Sequence, residues 1–229
     1  MAAVERSSLP DQVFRELVGA VLDGRYAPGD RLPPQRALAA ELGVNMASLR
    51  EGIKRLEQLR LVEVRHGDAM RVQDWRAQGG LDVLAYAATA DPALTGALFE
   101  ARRLLLREAA RLAAERRTPD HERALAELAG AFAAAPDDAT AQMLDLAFMQ
   151  TLIDAAGNLI FQLIINSIRE LYLGHLERFR PIVADRAITA PLYAGAAAAI
   201  AAGSAAGAAD AVERLAAAQE ARMLGEGPA

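Results

Sequence analysis

Apolar positions between Leu9 and Arg25 recur at helical spacing. Val13, Leu17, Val18, Val21 and Leu22 share one face, and Pro10 suits a first helical turn. The turn residues Ala27-Pro28-Gly29-Asp30 end that pattern. A shorter apolar face follows at Leu38, Ala39 and Leu42, and Gly43-Val44-Asn45 interrupts it. Gly43 tolerates the positive φ found past a helix end, and Asn45 can cap the start of the next helix. That next helix sets Leu49, Ile53 and Leu56 on one face and Arg50, Lys54 and Arg55 on the other. Leu61–Val64 and Met70–Val72 then alternate as two strands around His66-Gly67-Asp68. Two short helices joined by a tight turn, the second with a cationic face, predict a helix-turn-helix followed by a wing.

Beyond Val72 the period changes. Residues 73–80 are polar and glycine-containing, which predicts a bend, with Trp75 tucked against one of the domains. From Leu81 onward helical spacing dominates, with segments near 80–89, 94–117, 119–134, 138–156, 158–180, 185–202 and 205–224. Breaks fall at Asp91-Pro92, Thr118-Pro119, Pro136, Gly157-Asn158, Pro181 and Gly203-Ser204. The expected fold is mainly α: an N-terminal winged helix-turn-helix with a small β-wing over residues 1–74, a linker over 75–80, and a C-terminal antiparallel bundle of about seven helices over 81–229.

Composition narrows the function. With 53% hydrophobic and 24% charged residues, a chain of 229 can bury a core and is not globally disordered. The absence of cysteine excludes disulfides and thiolate chemistry and fits a reducing compartment. The first dozen residues lack a cationic start followed by an apolar core, so no signal peptide is expected. The run from Ala194 to Ala202 is too short for a membrane span, and a soluble cytoplasmic protein is expected. A net charge of −5 is misleading for a nucleic-acid binder. Residues 1–76 hold 12 Lys/Arg against 11 Asp/Glu, and residues 77–229 hold 13 against 19. Cations gather on the second helix and wing, and local clustering sets the footprint on DNA. No glycine-rich phosphate loop, Ser/His/Asp set or ligand-spaced histidine cluster is present, so an enzyme is not expected.

Leu32-Pro33, Arg36, Leu38-Ala39, Leu42-Gly43-Val44, Leu49-Arg50-Glu51, Arg55-Leu56 and His66-Gly67 resemble the winged helix of the GntR family of bacterial transcription regulators. Further along, Arg102, Leu112-Ala113-Ala114, Asp145, Phe148 and Ala156-Gly157-Asn158 are similar to the effector domain of the FadR subgroup of that family. Trp75, Gly80-Leu81 and the stretch from Phe161 to Tyr172 lean toward its fatty-acid-responsive members. The resemblance implies an operator-binding homodimer that responds to a small molecule. For Arg50 it implies a base or adjacent-phosphate contact, and for Arg36 a backbone-to-base contact. Asn45 can cap the helix or meet a phosphate, and His66-Gly67 would approach the minor groove. Met46, Ser48 and Lys54 complete the expected DNA-facing set, while Arg55 can either face DNA or pair with Glu51. Two positions depart from the family. Met46 stands where an arginine is usual, and Asp68 where a basic residue is usual, so a different operator is expected.

Many members of the subgroup hold a divalent metal through one Asp and three His. Asp145 matches the Asp, but Met149, Tyr193 and residues 215–219 supply no histidine. The only histidines are His66, His121 and His175, so no metal and no cofactor are expected. Arg102, Asp145, Met149, Phe161, Tyr172 and Tyr193 are instead the expected effector site. With Phe148, Ile164 and Ile165 they form an apolar lining with few polar groups, which fits a hydrophobic ligand with an anionic head. The resemblance implies a long-chain acyl-CoA first and a small organic acid second. The competing expectation is a ligand-independent dimer whose helical domain only pairs copies.

Overall fold

In the computed structural model, residues 8–65, 70–84, 86–87 and 93–225 are described. They form two compact units, residues 1–92 and 93–229.

The first unit begins with α1 (Leu9–Leu22), whose start is fixed by a reciprocal Ser8–Asp11 capping box. Its face of Val13, Phe14, Leu17, Val18 and Val21 is buried. Helices α2 (Gln35–Glu41) and α3 (Met46–Gln58) follow, the latter packed across α1. Gly43 between them has φ +64°, and Asn45 caps α3 by accepting from the Ser48 amide at 2.8 Å. Strands β1 (Val62–Glu63) and β2 (Arg71–Val72) pair antiparallel, Val62 opposite Val72.

The wing gains an edge that side-chain alternation did not reveal. Residues 29–32 run beside β2: Gly29 N–H donates to Val72 O at 2.9 Å, Val72 N–H to Asp30 O at 3.0 Å, and Leu32 N–H to Met70 O at 2.9 Å. The segment expected as a linker contains the short helix α4 (Trp75–Gln78), capped by Asp74, and then a 3-10 turn at Leu81–Val83. Of the remainder of the helix expected near 80–89, Leu84, Tyr86 and Ala87 are helical, and residues 85, 88 and 89 lie outside the described residues.

The second unit is helical throughout its described length: α5 (Ala93–Arg116), α6 (Pro119–Ala133), α7 (Asp138–Ala155), α8 (Leu159–Gly174), α9 (Leu176–Phe179), a 3-10 turn (Arg180–Val183), α10 (Arg186–Ala201) and α11 (Ala205–Met223). Side-chain caps punctuate the junctions: Thr118 before α6, Asp137 before α7, Asn158 before α8 and Ser204 before α11. The helix expected over 158–180 stops earlier, because His175 leaves the helical region at φ −140° after Gly174, and the chain restarts as α9. Helix α5 packs on α11, α7 and α10, and α6 packs on α7 and α10. Alanines at the contacts, among them Ala109, Ala110, Ala113, Ala196 and Ala208, are buried. Alanine has the highest helix propensity and the smallest side chain, so the Ala-rich stretches form helices that approach closely. No described helix is long and apolar enough to cross a membrane.

Candidate DNA-reading surface and effector chamber

In the first unit, burial of Leu49, Ile53 and Leu56 fixes which face of α3 remains outside. That face carries Ala47, Arg50, Glu51 and Lys54, all exposed. Arg36 on α2 is exposed as well, as is Asn45 at the helix turn, while Met46 is half-buried. Ser48, expected to face DNA, is only 8% exposed and points inward, three residues after the cap. Arg55 has a structural partner in place of Glu51. Its guanidinium meets Asp11 Oδ1 at 2.6 Å and lies 4.0 Å from the Phe14 ring centroid, tying α3 to α1. Hydrogen bonds from Ser8, then from Arg55, hold the Asp11 carboxyl below its ordinary pKa. Gly52 sits where α3 crosses α1, so close that a side chain there would strike Val13. His66, Gly67 and Asp68 lie outside the described residues. The unit therefore presents a cationic helix face on a tightly packed support, the arrangement that lets a helix enter the major groove.

The second unit contains a narrow cavity of about 50 Å3, walled mainly by apolar side chains of α5, α7, α8 and the turn after α9. Leu98, Phe99, Met149, Ile165, Phe179 and Ile182 supply most of that wall. The polar residues along it are Arg102, Asp145, Arg169 and Tyr172. Asp145, 3% exposed, accepts hydrogen bonds on Oδ1 from the Tyr193 hydroxyl and from Gln219 Nε2, the latter at 2.9 Å. Gln219 Nε2 also reaches Tyr193 Oη at 2.8 Å, so α7, α10 and α11 are joined through one buried cluster. The Tyr193 ring stacks on Phe132 at 4.1 Å and meets Phe148 edge-on at 5.0 Å, which fixes the direction of its hydroxyl. Burial, reinforced by the Asp145 charge, raises the Tyr193 phenol well above its ordinary pKa, so it stays a donor.

Arg102 Nη2 faces Asp145 Oδ1 at 4.0 Å, with the Arg102 side chain 11% exposed. Its Nη1 is buried and has no hydrogen-bond partner among the described residues. The buried Tyr172 Oη makes no hydrogen bond of good geometry, although the Gln142 side chain interacts with it. Burial, then the charge of Asp145, raises the Tyr172 phenol as well. Of the expected effector residues, Arg102, Asp145, Met149 and Tyr172 line the cavity. Tyr193 stands behind it and orients Asp145. Phe161 is half-buried near the start of α8, outside the wall. In the sequence Gln219 falls only within residues 215–219, the stretch matching the last metal ligand, and an amide on an Ala-rich helix reads there as a surface group.

Residues 9–72 match the profile of bacterial regulatory proteins of the gntR family, and residues 97–218 match the FCD domain. The chain belongs to the gntR family. Among its relatives, the HTH-type transcriptional regulator Mce2R of Mycobacterium tuberculosis is 36% identical over 173 residues, 74% of this chain and 72% of that protein. A fatty acid metabolism regulator protein of Enterobacter sp. is 32% identical over 160 residues, 68% of this chain and 66% of that protein. The solved Streptococcus agalactiae GntR shares the fold with a TM-score of 0.51 at 25% identity, covering 92% of this chain and 98% of the other. This gntR-family chain is thus a DNA-binding transcription regulator with an FCD effector domain, not an enzyme.

Proposed function

We propose that this regulator binds its operator as a homodimer in the cytoplasm and changes operator affinity when the helical domain takes up a small metabolite with an anionic head and an apolar body. Arg36, Asn45, Met46, Arg50, Lys54 and the wing residues His66-Gly67 form the DNA-facing set. Two-fold pairing would present two copies of α3 to a palindromic site. The observation that carries the effector reading is the buried, unpartnered Arg102 Nη1, whose side chain lines an otherwise apolar cavity together with Tyr172. A buried donor without an acceptor is costly, and an anionic ligand would relieve that cost. Similarity to a protein named as a fatty acid metabolism regulator supports an acyl chain with a carboxylate or thioester head, and an organic acid suits the same groups. The narrowness of the cavity favours the second reading, a ligand-independent dimer.

Fluorescence anisotropy on the DNA upstream of the protein's own gene separates the two. Measured at two salt concentrations with a panel of acyl-CoAs and organic acids, the first reading expects salt-sensitive binding that one compound shifts about 5–150-fold. Tight binding indifferent to every compound supports the second. Arg50→Ala should cost specific binding about 1–3 kcal/mol, and unchanged specificity would remove Arg50 from the base-reading role.

A further inference from the structure

Within the FadR subgroup a metal is implied at an Asp and three His, and this chain brings the matching positions together. Asp145 and Met149 line one cavity from successive turns of α7, and Tyr193 and Gln219 converge on Asp145 from α10 and α11. The donor set does not fit a metal. Asp145 Oδ1 already accepts two hydrogen bonds and faces a guanidinium. Tyr193 is a neutral phenol that donates its proton, Met149 offers only a soft thioether, and the Gln219 amide nitrogen is turned toward Asp145. The oxygen donors left over are Asp145 Oδ2, which takes no part in those two hydrogen bonds, and the buried, unpartnered Gln219 carbonyl oxygen, one carboxylate and one neutral amide. A structural or catalytic divalent site needs three or four deprotonated ligands. Among the described residues no group of three His, Cys, Asp or Glu is placed to hold one.

We infer that the effector domain has exchanged the metal for a hydrogen-bonded carboxylate–phenol–amide cluster, and that Arg102 with Tyr172 receives the ligand's carboxylate directly. The inference rests on the sensor reading above. A carboxylate brings the charge that Arg102 lacks on its Nη1 side and an acceptor for the Tyr172 hydroxyl, and both groups line the same cavity. Arg169, exposed on the same wall, adds a second cation. Once bound, the guanidinium lies between two carboxylates, that of the ligand and that of Asp145. Any redistribution of its bonding is felt by Tyr193 and Gln219, and so by α10 and α11. The cluster thereby supplies what a metal would otherwise supply: a rigid junction of three helices, plus a polarised contact with the ligand.

The test uses the full-length protein, treated with EDTA and dialysed, in thermal unfolding with acetate, n-butyrate, n-octanoate and palmitoyl-CoA. Each is run with no metal, with Zn2+ and with Mn2+, and bound metal is counted by plasma mass spectrometry. The expected result is negligible bound metal, and a carboxylate-induced rise in Tm that is identical with and without metal. Arg102→Met should abolish that rise. Because Arg102→Met also disturbs a buried ion pair, a gain-of-function variant accompanies it. Met149→His, Tyr193→His and Gln219→His combined should bind Zn2+ at about one per chain, by analogy with an Asp and three His. Stoichiometric metal in the wild type, lost on Asp145→Asn, overturns the inference. So does a Tm rise that EDTA removes, while that result leaves the sensor reading intact. If no compound raises Tm under any condition, the sensor reading fails and direct recognition falls with it. Failure of the triple-histidine variant to bind Zn2+ while folded overturns the claim that the cluster occupies a metal's place.

Discussion

The crossing of α1 and α3 offers a prediction in which one chemical change has opposite signs at two places. Replacing a helix-interior glycine by alanine gains about 1 kcal/mol of helix propensity. At Gly130, on the exposed face of α6, an added Cβ meets nothing within 4 Å, so Gly130→Ala should stabilise by nearly that amount. At Gly52 the same Cβ would stand 2.5 Å from Val13 Cγ1, 3.0 Å from Val13 Cβ and 3.3 Å from the Phe14 backbone nitrogen. Rotating Val13 relieves only the first contact; the other two demand that α3 move away from α1. Overpacking of this kind costs about 1–3 kcal/mol, which exceeds or cancels the propensity gain. Gly52→Ala should therefore lose about 1 kcal/mol, roughly 2 kcal/mol apart from its counterpart at Gly130. Urea unfolding followed by Trp75 fluorescence, the chain's only tryptophan, reports on the first unit. There the Gly52→Ala midpoint should fall by about 0.5 M urea at unchanged slope. A midpoint at or above wild type would show that the helices can part freely, and the rigid-support account of α3 would be wrong.

Arg55 and Lys54 are neighbours with different fates, so Lys54→Gln should reduce the salt slope of operator binding by about 1, whereas Arg55→Met should leave that slope alone. Arg55→Met should instead lower stability by about 1 kcal/mol, since a half-exposed ion pair and its ring contact are each modest; a salt-slope change would reassign Arg55 to DNA. Tyr193→Phe leaves Asp145 and Gln219 each short of a partner in a buried site and should cost about 1–3 kcal/mol in thermal or chemical unfolding; a neutral result would mean that water replaces the hydroxyl. The lowered pKa of Asp11 stabilises the fold above its ordinary value of 3.8, and that contribution is lost as pH falls through the still lower folded value. Wild type should accordingly exceed Asp11→Asn in Tm at pH 6 and converge with it below pH 3, and a constant gap would break the link to Asp11.

Local physics made much of this legible in the sequence. Caps and apolar periodicity are short-range, so Asn45 is legible as a cap, and the breaks at Thr118-Pro119, Gly157-Asn158 and Gly203-Ser204 fall where capped helices begin. The wing strands were legible because alternation is local too. Arg55 was not, because its partner Asp11 lies 44 residues away and no spacing rule reaches that far. Ser48 looked outward by residue type, yet its position after the cap turns it into the core. In the chamber, Arg102, Asp145, Met149 and Tyr172 were legible through the family resemblance, while Phe161 missed the wall by its place on α8. Phe179 and Ile182 entered the cavity because α8 ends at Gly174 and the chain turns back, a break that apolar spacing over 158–180 conceals.

The pairing of residues 29–32 with β2 carries a consequence for how this reading head can evolve. A turn rich in proline and glycine is ordinarily where chains tolerate insertions. Here an added residue between Asp30 and Leu32 would slip the strand by one place and send alternate side chains to opposite faces. Leu32, now buried, would turn to solvent, and an arginine would be driven toward the core. Exposed side chains of α3 can be exchanged without touching this register, but the length of this segment is locked by the pairing it keeps with the wing.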